Sequence, residues 1–253
     1  MKSTIKKFLA TCAFGFFALT TPLTGMAAEP GWPAPVEDNQ IFTMLMVEEL
    51  EYRNNDNEQD TFNWDAEGWI GTDYNKLWIR TEGEDNRSGA NSGEWEVEAL
   101  YSRLVAPFWE FQTGLRYMKL YGEQDRDRSF AVLGFQGLAP YWFELTPELF
   151  LSEDGDVSAR VTARYELLFT QRLILEPKLE INAAAQEVED FGVGSGINDV
   201  ELGLRLRYEI SREFAPYIGV SWINKFGGTA DMARSDGESV RDVAVMAGMR
   251  FWF

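Results

Sequence analysis

The sequence predicts an all-β protein: a closed antiparallel transmembrane β-barrel of about 12 strands, with short periplasmic turns and longer extracellular loops. Three observations predict it. The chain after residue 28 breaks into runs of about ten to fourteen residues in which apolar and polar side chains alternate. The joints between these runs alternate between short and long. The last run ends Met246-Ala-Gly-Met-Arg-Phe-Trp-Phe253, with Val243, Val245, Ala247, Met249, Phe251 and Phe253 on one face. Its other face carries Asp242, Ala244, Met246, Gly248 and Arg250. A strand with lipid on one side and a polar interior on the other has this dyad pattern and ends in aromatics.

Residues 1–28 read as a signal peptide: Lys2, Lys6 and Lys7, then the apolar stretch Phe8–Leu19, then small residues around Ala27 and Ala28. Thr20, Thr21, Pro22 and Thr24 cut the apolar run short of the roughly 20 residues a membrane helix needs. Residues 29–40 read as a short periplasmic segment, and 41–253 as the barrel. The strands are expected at 41–53, 61–71, 74–83, 94–105, 107–119, 129–139, 141–152, 156–169, 171–183, 198–210, 213–226 and 239–253. Short joints fall at 71–73, 106–107, 139–140, 170–171 and 211–212. Longer joints at 54–60, 83–93, 121–128, 152–156, 183–197 and 227–238 are rich in Asp, Asn, Gly and Ser, as turns require. An even strand count places both barrel ends on the periplasmic rim.

The faces follow from parity. Val200, Leu202, Leu204, Leu206 and Tyr208 face lipid; Glu201, Gly203, Arg205, Arg207 and Glu209 face the lumen. Leu173, Leu175, Pro177, Leu179 and Ile181 point outward against Glu176, Lys178, Glu180 and Asn182. Val161, Ala163, Tyr165 and Leu167 oppose Arg160, Arg164 and Glu166. The inward set also takes Glu49, Glu51, Asp65, Glu67, Lys76, Arg80, Glu96, Glu98, Glu110, Arg116, Glu144, Glu148, Asp242 and Arg250. Twelve strands enclose a narrow lumen, so many of these charges are expected to pair across it. Trp109, Phe111, Tyr141, Phe143, Tyr208, Tyr217 and Phe251 fit interfacial girdles.

Composition narrows the chemistry. The signal takes three of the 23 basic residues and none of the 41 acids, leaving 20 against 41, a formal charge of −21. Such acidity disfavours nucleic acid and favours cations. Cys12, within the signal, is the only cysteine, which leaves no thiol or disulfide chemistry in the mature chain. There is no histidine, which removes Ser-His and Asp-His hydrolysis. No enzyme is expected.

At residue level the chain resembles the copper resistance protein B family. The blocks that carry the likeness are Trp64-Asp-Ala-Glu-Gly-Trp-Ile-Gly71, Asp73-Tyr-Asn-Lys-Leu-Trp78, Ala99-Leu-Tyr-Ser-Arg103 with Ala106-Pro-Phe-Trp109, and Gln136-Gly-Leu-Ala-Pro-Tyr-Trp-Phe-Glu144. Thr170-Gln-Arg-Leu-Ile-Leu-Glu-Pro177, Glu201-Leu-Gly-Leu-Arg-Leu-Arg-Tyr-Glu209, Arg212-Glu-Phe-Ala-Pro-Tyr217 and Lys225-Phe-Gly-Gly-Thr-Ala230 continue it. The resemblance implies a place in the outer membrane of a Gram-negative bacterium, contact with lipid, and copper tolerance through binding or passing copper ions. A periplasmic copper-resistance protein is the implied partner. A general cation-diffusing barrel without copper-specific chemistry is the alternative. Many relatives carry a Met- and His-rich N-terminal extension; here residues 29–40 hold neither, which turns attention to the barrel.

Thioethers suit Cu(I), while imidazole, the usual Cu(II) ligand, is absent. Parity turns Met118 and Met246 inward and Met249 toward lipid. Met44 and Met46 share a face with Leu50 and Tyr52, so they face lipid unless the strand starts later. Closure pairs the first and last strands, which brings Met246 near Glu49 and Glu51. Met246, Met118, Glu49 and Glu51 are therefore the expected copper-contacting residues, although plain packing also accounts for a methionine.

Overall fold

A computed structural model describes residues 40–56, 60–87, 92–122 and 125–253. The signal peptide, and the 29–40 segment apart from its last residue, lie outside the described residues. Twelve strands follow: β1 (Phe42–Asn55), β2 (Asp60–Gly71), β3 (Asn75–Asn86), β4 (Gly93–Ala106), β5 (Trp109–Tyr121) and β6 (Arg126–Ala139). After these come β7 (Phe143–Ser152), β8 (Val157–Arg164, resuming at Leu167–Leu168), β9 (Leu173–Ala184), β10 (Gly196–Tyr208), β11 (Phe214–Lys225) and β12 (Arg241–Trp252). Each strand pairs antiparallel with its sequence neighbours, and β1 pairs with β12, so the barrel closes. Leu45 and Phe253 exchange backbone hydrogen bonds at 3.1 and 2.8 Å, fastening the two ends at the rim of short turns.

Alternation is obeyed along most of the wall. Leu202 and Leu204 stand 45% and 41% exposed, while Arg205 and Arg207, further along the strand on the alternate positions, are 2% exposed. With no helical layer against it, the apolar exterior is the surface that lipid covers. Among the described residues no helix is long and apolar enough to cross a membrane; the strands make the crossing.

The structure departs from the expectations of the sequence in three places. First, β1 carries a β-bulge: Val47 pairs with Ala66 and Glu49 with Asp65, so Glu48 has no partner of its own. One extra residue turns every preceding side chain to the other face. Met44, Met46 and Glu48 therefore line the lumen together with Glu49, Glu51 and Arg53, which corrects the expectation that Met44 and Met46 face lipid. Second, Tyr217 is not a girdle residue. It is 5% exposed inside the barrel and donates to Glu51 at 2.8 Å. Third, the lumen is not uniformly polar. Trp78, Leu100, Phe130, Val132 and Phe150, all on inward faces of β3, β4, β6 and β7, form an apolar cluster. Arg116 lies over the rings of Phe130 and Phe150 at 5.3 and 4.5 Å, covering the cluster with a cation.

The joint at 227–238 also holds more order than a polar loop. It forms α1 (Gly227–Asp236), ended by Gly237 at φ 77°. Thr229, Ala230 and Ala233 of α1 are buried. Gly194, in the β9–β10 loop, approaches α1 so closely that a Cβ there would lie 2.4 Å from the Thr229 nitrogen. Phe191 in the same loop stacks on Arg128 of β6 at 5.1 Å, which draws the loop inward over the mouth.

Candidate functional site

The lumen is two chambers separated by a layer of ion pairs. The chamber toward the short turns has a volume of about 310 Å³ and is lined by Met44, Met46, Glu48, Glu67, Trp78, Arg80, Glu98, Glu144, Glu148 and Arg250, among others. The chamber toward the long loops, about 260 Å³, is lined by Glu49, Arg53, Glu84, Glu94, Met118, Lys178, Asp199 and Glu201, among others. Asp65, Glu82, Glu96, Arg160 and Glu180 line both. They form the shared floor.

Arg160 holds that floor together. Its Nη1 donates to Glu82 at 2.5 Å and to Glu96 at 3.0 Å, and its Nε to Asn182 at 3.2 Å. Arg116 pairs with Glu96 from the β5 wall. Arg164 donates to Asp65 at 2.8 Å. These contacts join β8 and β5 to β2, β3, β4 and β9, so the layer crosses the barrel instead of following one wall.

A second network joins β1 to β9, β10 and β11. Glu49 receives Lys178 at 3.0 Å and Arg205 at 2.7 Å, with Arg53 and Arg164 within 3.7 Å. Glu51, 1% exposed, receives Arg53 at 2.6 Å, Arg205 at 3.0 Å and the Tyr217 hydroxyl. A charge so deeply buried is tolerable only with such partners. The expected pairing of inward charges is thus realised, and it occupies both of these carboxylates.

Of the residues expected to contact copper, the structure brings Met246 beside the Glu51 strand but not into an open space. Met246 pairs across the seam with Arg53, while Glu51 pairs with Gly248. Met246 is 1% exposed, its Cγ lying where a Cβ on Gly219 would press at 3.2 Å. Met118, on β5, lines the long-loop chamber, and its sulfur lies 3.7 Å from Arg116. The two methionines sit on strands far apart around the wall. Among the described residues no group of three or more carboxylates is arranged to hold a metal ion.

Sequence reasoning missed Met44, Met46, Glu48, Glu82 and Arg53 as lumen residues. One signal was present: Glu48 and Glu49 are consecutive acids in an alternating strand, and both can face a lumen only across a bulge.

Both chambers are dominated by acid. Formally, nine carboxylates face three cationic groups in the long-loop chamber and four in the short-turn chamber. An interior of that sign concentrates cations and repels anions.

Fold and lumen together define an outer-membrane-type β-barrel with an acidic, ion-paired interior. The solved structures it resembles agree. A NanC porin superposes with a TM-score of 0.55 at 11% identity, over 82% of this chain and 98% of that one. A KdgM porin gives 0.50 at 10%, over 82% and 98%. The outer membrane phospholipase A of Escherichia coli gives 0.50 at 9%, over 83% and 92%. At such identities the likeness is one of fold alone.

The chain belongs to the copper resistance protein B family. The family model described as copper resistance protein B precursor (CopB) matches residues 41–253. A copper resistance protein B of Escherichia coli is 41% identical over 222 residues, 86% of this chain and 72% of that protein. A copper resistance protein B homolog of Pseudomonas syringae pv. tomato is 38% identical over 218 residues, with the same shares.

Proposed function

We propose that this protein handles copper at the outer membrane of a Gram-negative cell, binding copper ions in its lumen and passing them between the two rims, without enzymatic chemistry. The observation that carries the reading is the acid-dominated interior, nine carboxylates against three cations at the long-loop mouth, in a barrel of the copper resistance protein B family. By the usual arrangement of such barrels the long loops face outside and the short turns the periplasm. Copper would then meet the long-loop chamber first, where Met118 offers a thioether among carboxylates. The chamber on the short-turn side would deliver to, or receive from, a periplasmic copper-resistance protein. The Arg160 layer has to rearrange for an ion to pass.

The test compares copper and zinc accumulation in cells with and without the protein. A change in copper with zinc unaffected is the expected result. Equal changes in both would favour a general cation-diffusing barrel, a reading helped by the absence of a carboxylate metal cluster among the described residues.

A further inference from the structure

We propose that Met44 and Met46 form a two-thioether site for a soft monovalent cation in the short-turn chamber, with Arg250 as the resident cation it displaces. The inference rests on the copper reading above and names the place where the metal is held on the short-turn side.

The bulge at Glu48 is the first support. Without it Met44 and Met46 would lie among lipid tails; with it both line an acidic chamber. Bulges recur where a strand must re-aim a side chain. Met44 packs against the apolar cluster around Trp78, but Met46 lies beside Glu67 and Arg250, where burying a thioether gains little, so packing does not account for turning both inward.

The second support is what surrounds the sulfurs. Arg250 Nη2 lies 3.2 Å from the Met46 sulfur, while its Nε donates to Glu48 at 2.7 Å. The Met46 lone pair is thus already directed at a positive charge. Glu67 faces Met46 directly across the β1–β2 pair, and Trp69 faces Met44 in the same way. The ring of Trp69 carries Lys76 at 4.8 Å, and that of Trp78 carries Arg80 at 5.3 Å. This wall is built to face cations.

Reach is the third support. Residues two apart on a strand have Cα atoms about 7 Å apart, on one face. Two flexible three-bond thioethers span that distance to meet at a single ion. Thioether sulfur selects Cu(I) and its silver analogue over Zn(II), Mg(II) or Ca(II). A carboxylate from Glu67 would complete a neutral two-sulfur, one-oxygen set.

Silver(I) binding to the purified full-length barrel in detergent tests the site, by titration calorimetry in a chloride-free buffer. The wild type is expected to bind Ag(I). Met44→Leu/Met46→Leu, which conserves volume and should keep the heat-resistant folded form on gels, is expected to bind at least tenfold more weakly. Met246→Leu is expected to bind as wild type. Arg250→Gln, which removes the competing guanidinium, is expected to bind several-fold more tightly. X-ray absorption of the Cu(I)-loaded protein should show fewer sulfur neighbours per copper in the double variant than in wild type. Unchanged Ag(I) affinity in a folded Met44→Leu/Met46→Leu protein, or no binding by wild type, overturns the site. Weaker or unchanged binding by Arg250→Gln overturns the competition. Neither result touches the copper reading, which fails only if copper and zinc accumulation change together.

Discussion

Arg160 of β8 donates to Glu82 of β3 across the barrel at 2.5 Å, and both residues line both chambers. The guanidinium also reaches Glu96 and Asn182, so it fills the space where the two chambers would otherwise meet. A planar fork with five donors can hold several carboxylates at once in a fixed geometry, which the compact ammonium of a lysine does not impose.

Replacing Arg160 should open the floor. Arg160→Gln is expected to raise the single-channel conductance of the reconstituted barrel several-fold over wild type in planar bilayers. A conductance equal to wild type would mean that the remaining ion pairs close the lumen without it.

The acids at the long-loop mouth should set ion preference once the floor is open. In the Arg160→Gln background, Glu84→Gln/Glu94→Gln reduces the formal acids of that chamber from nine to seven. Cation-over-anion selectivity, read from reversal potentials across a KCl gradient, is expected to fall, and to fall more at about 0.1 M than at about 1 M salt because screening shortens from about 10 to about 3 Å.

Glu51 should matter for folding more than for attraction of ions. Glu51→Gln leaves Arg53 and Arg205 buried with one carboxylate fewer, and is expected to cost about 3 kcal/mol. Tyr217→Phe removes only the hydroxyl that donates to Glu51 and is expected to cost about 1.5 kcal/mol. Urea unfolding in lipid vesicles measures both. Equal losses would show that the charge network adds nothing beyond a hydrogen bond.

The lipid face has its own signature. Leu204→Arg puts a charge among acyl tails on β10 and is expected to destabilise the barrel by about 2–4 kcal/mol in the same assay. Met249→Leu, also on that face, should leave the midpoint where it is. If the two variants unfold alike, the wall at Leu204 does not meet lipid.

The sequence by itself determined the strand count, the alternation of short and long joints, and the outward faces of strands such as β10. These rest on a period of two, which each strand carries locally and which needs no partner to be read. It also determined that the interior is acidic and lacks histidine, thiol and disulfide. Tertiary structure alone decided the rest. The register of β1 against β2 and β12 placed the bulge at Glu48 and so turned Met44 and Met46 inward. Arg53 meets Glu49 and Glu51 along its own strand, but closure chose Lys178 and Arg205 as their partners from across the wall. Parity already turns Trp78, Leu100 and Phe150 inward beside Arg80, Glu98 and Glu148, but only the closed, narrow bore brings them together as one apolar cluster. Which charges meet across a closed barrel depends on pairings between strands many residues apart, and no local period encodes them.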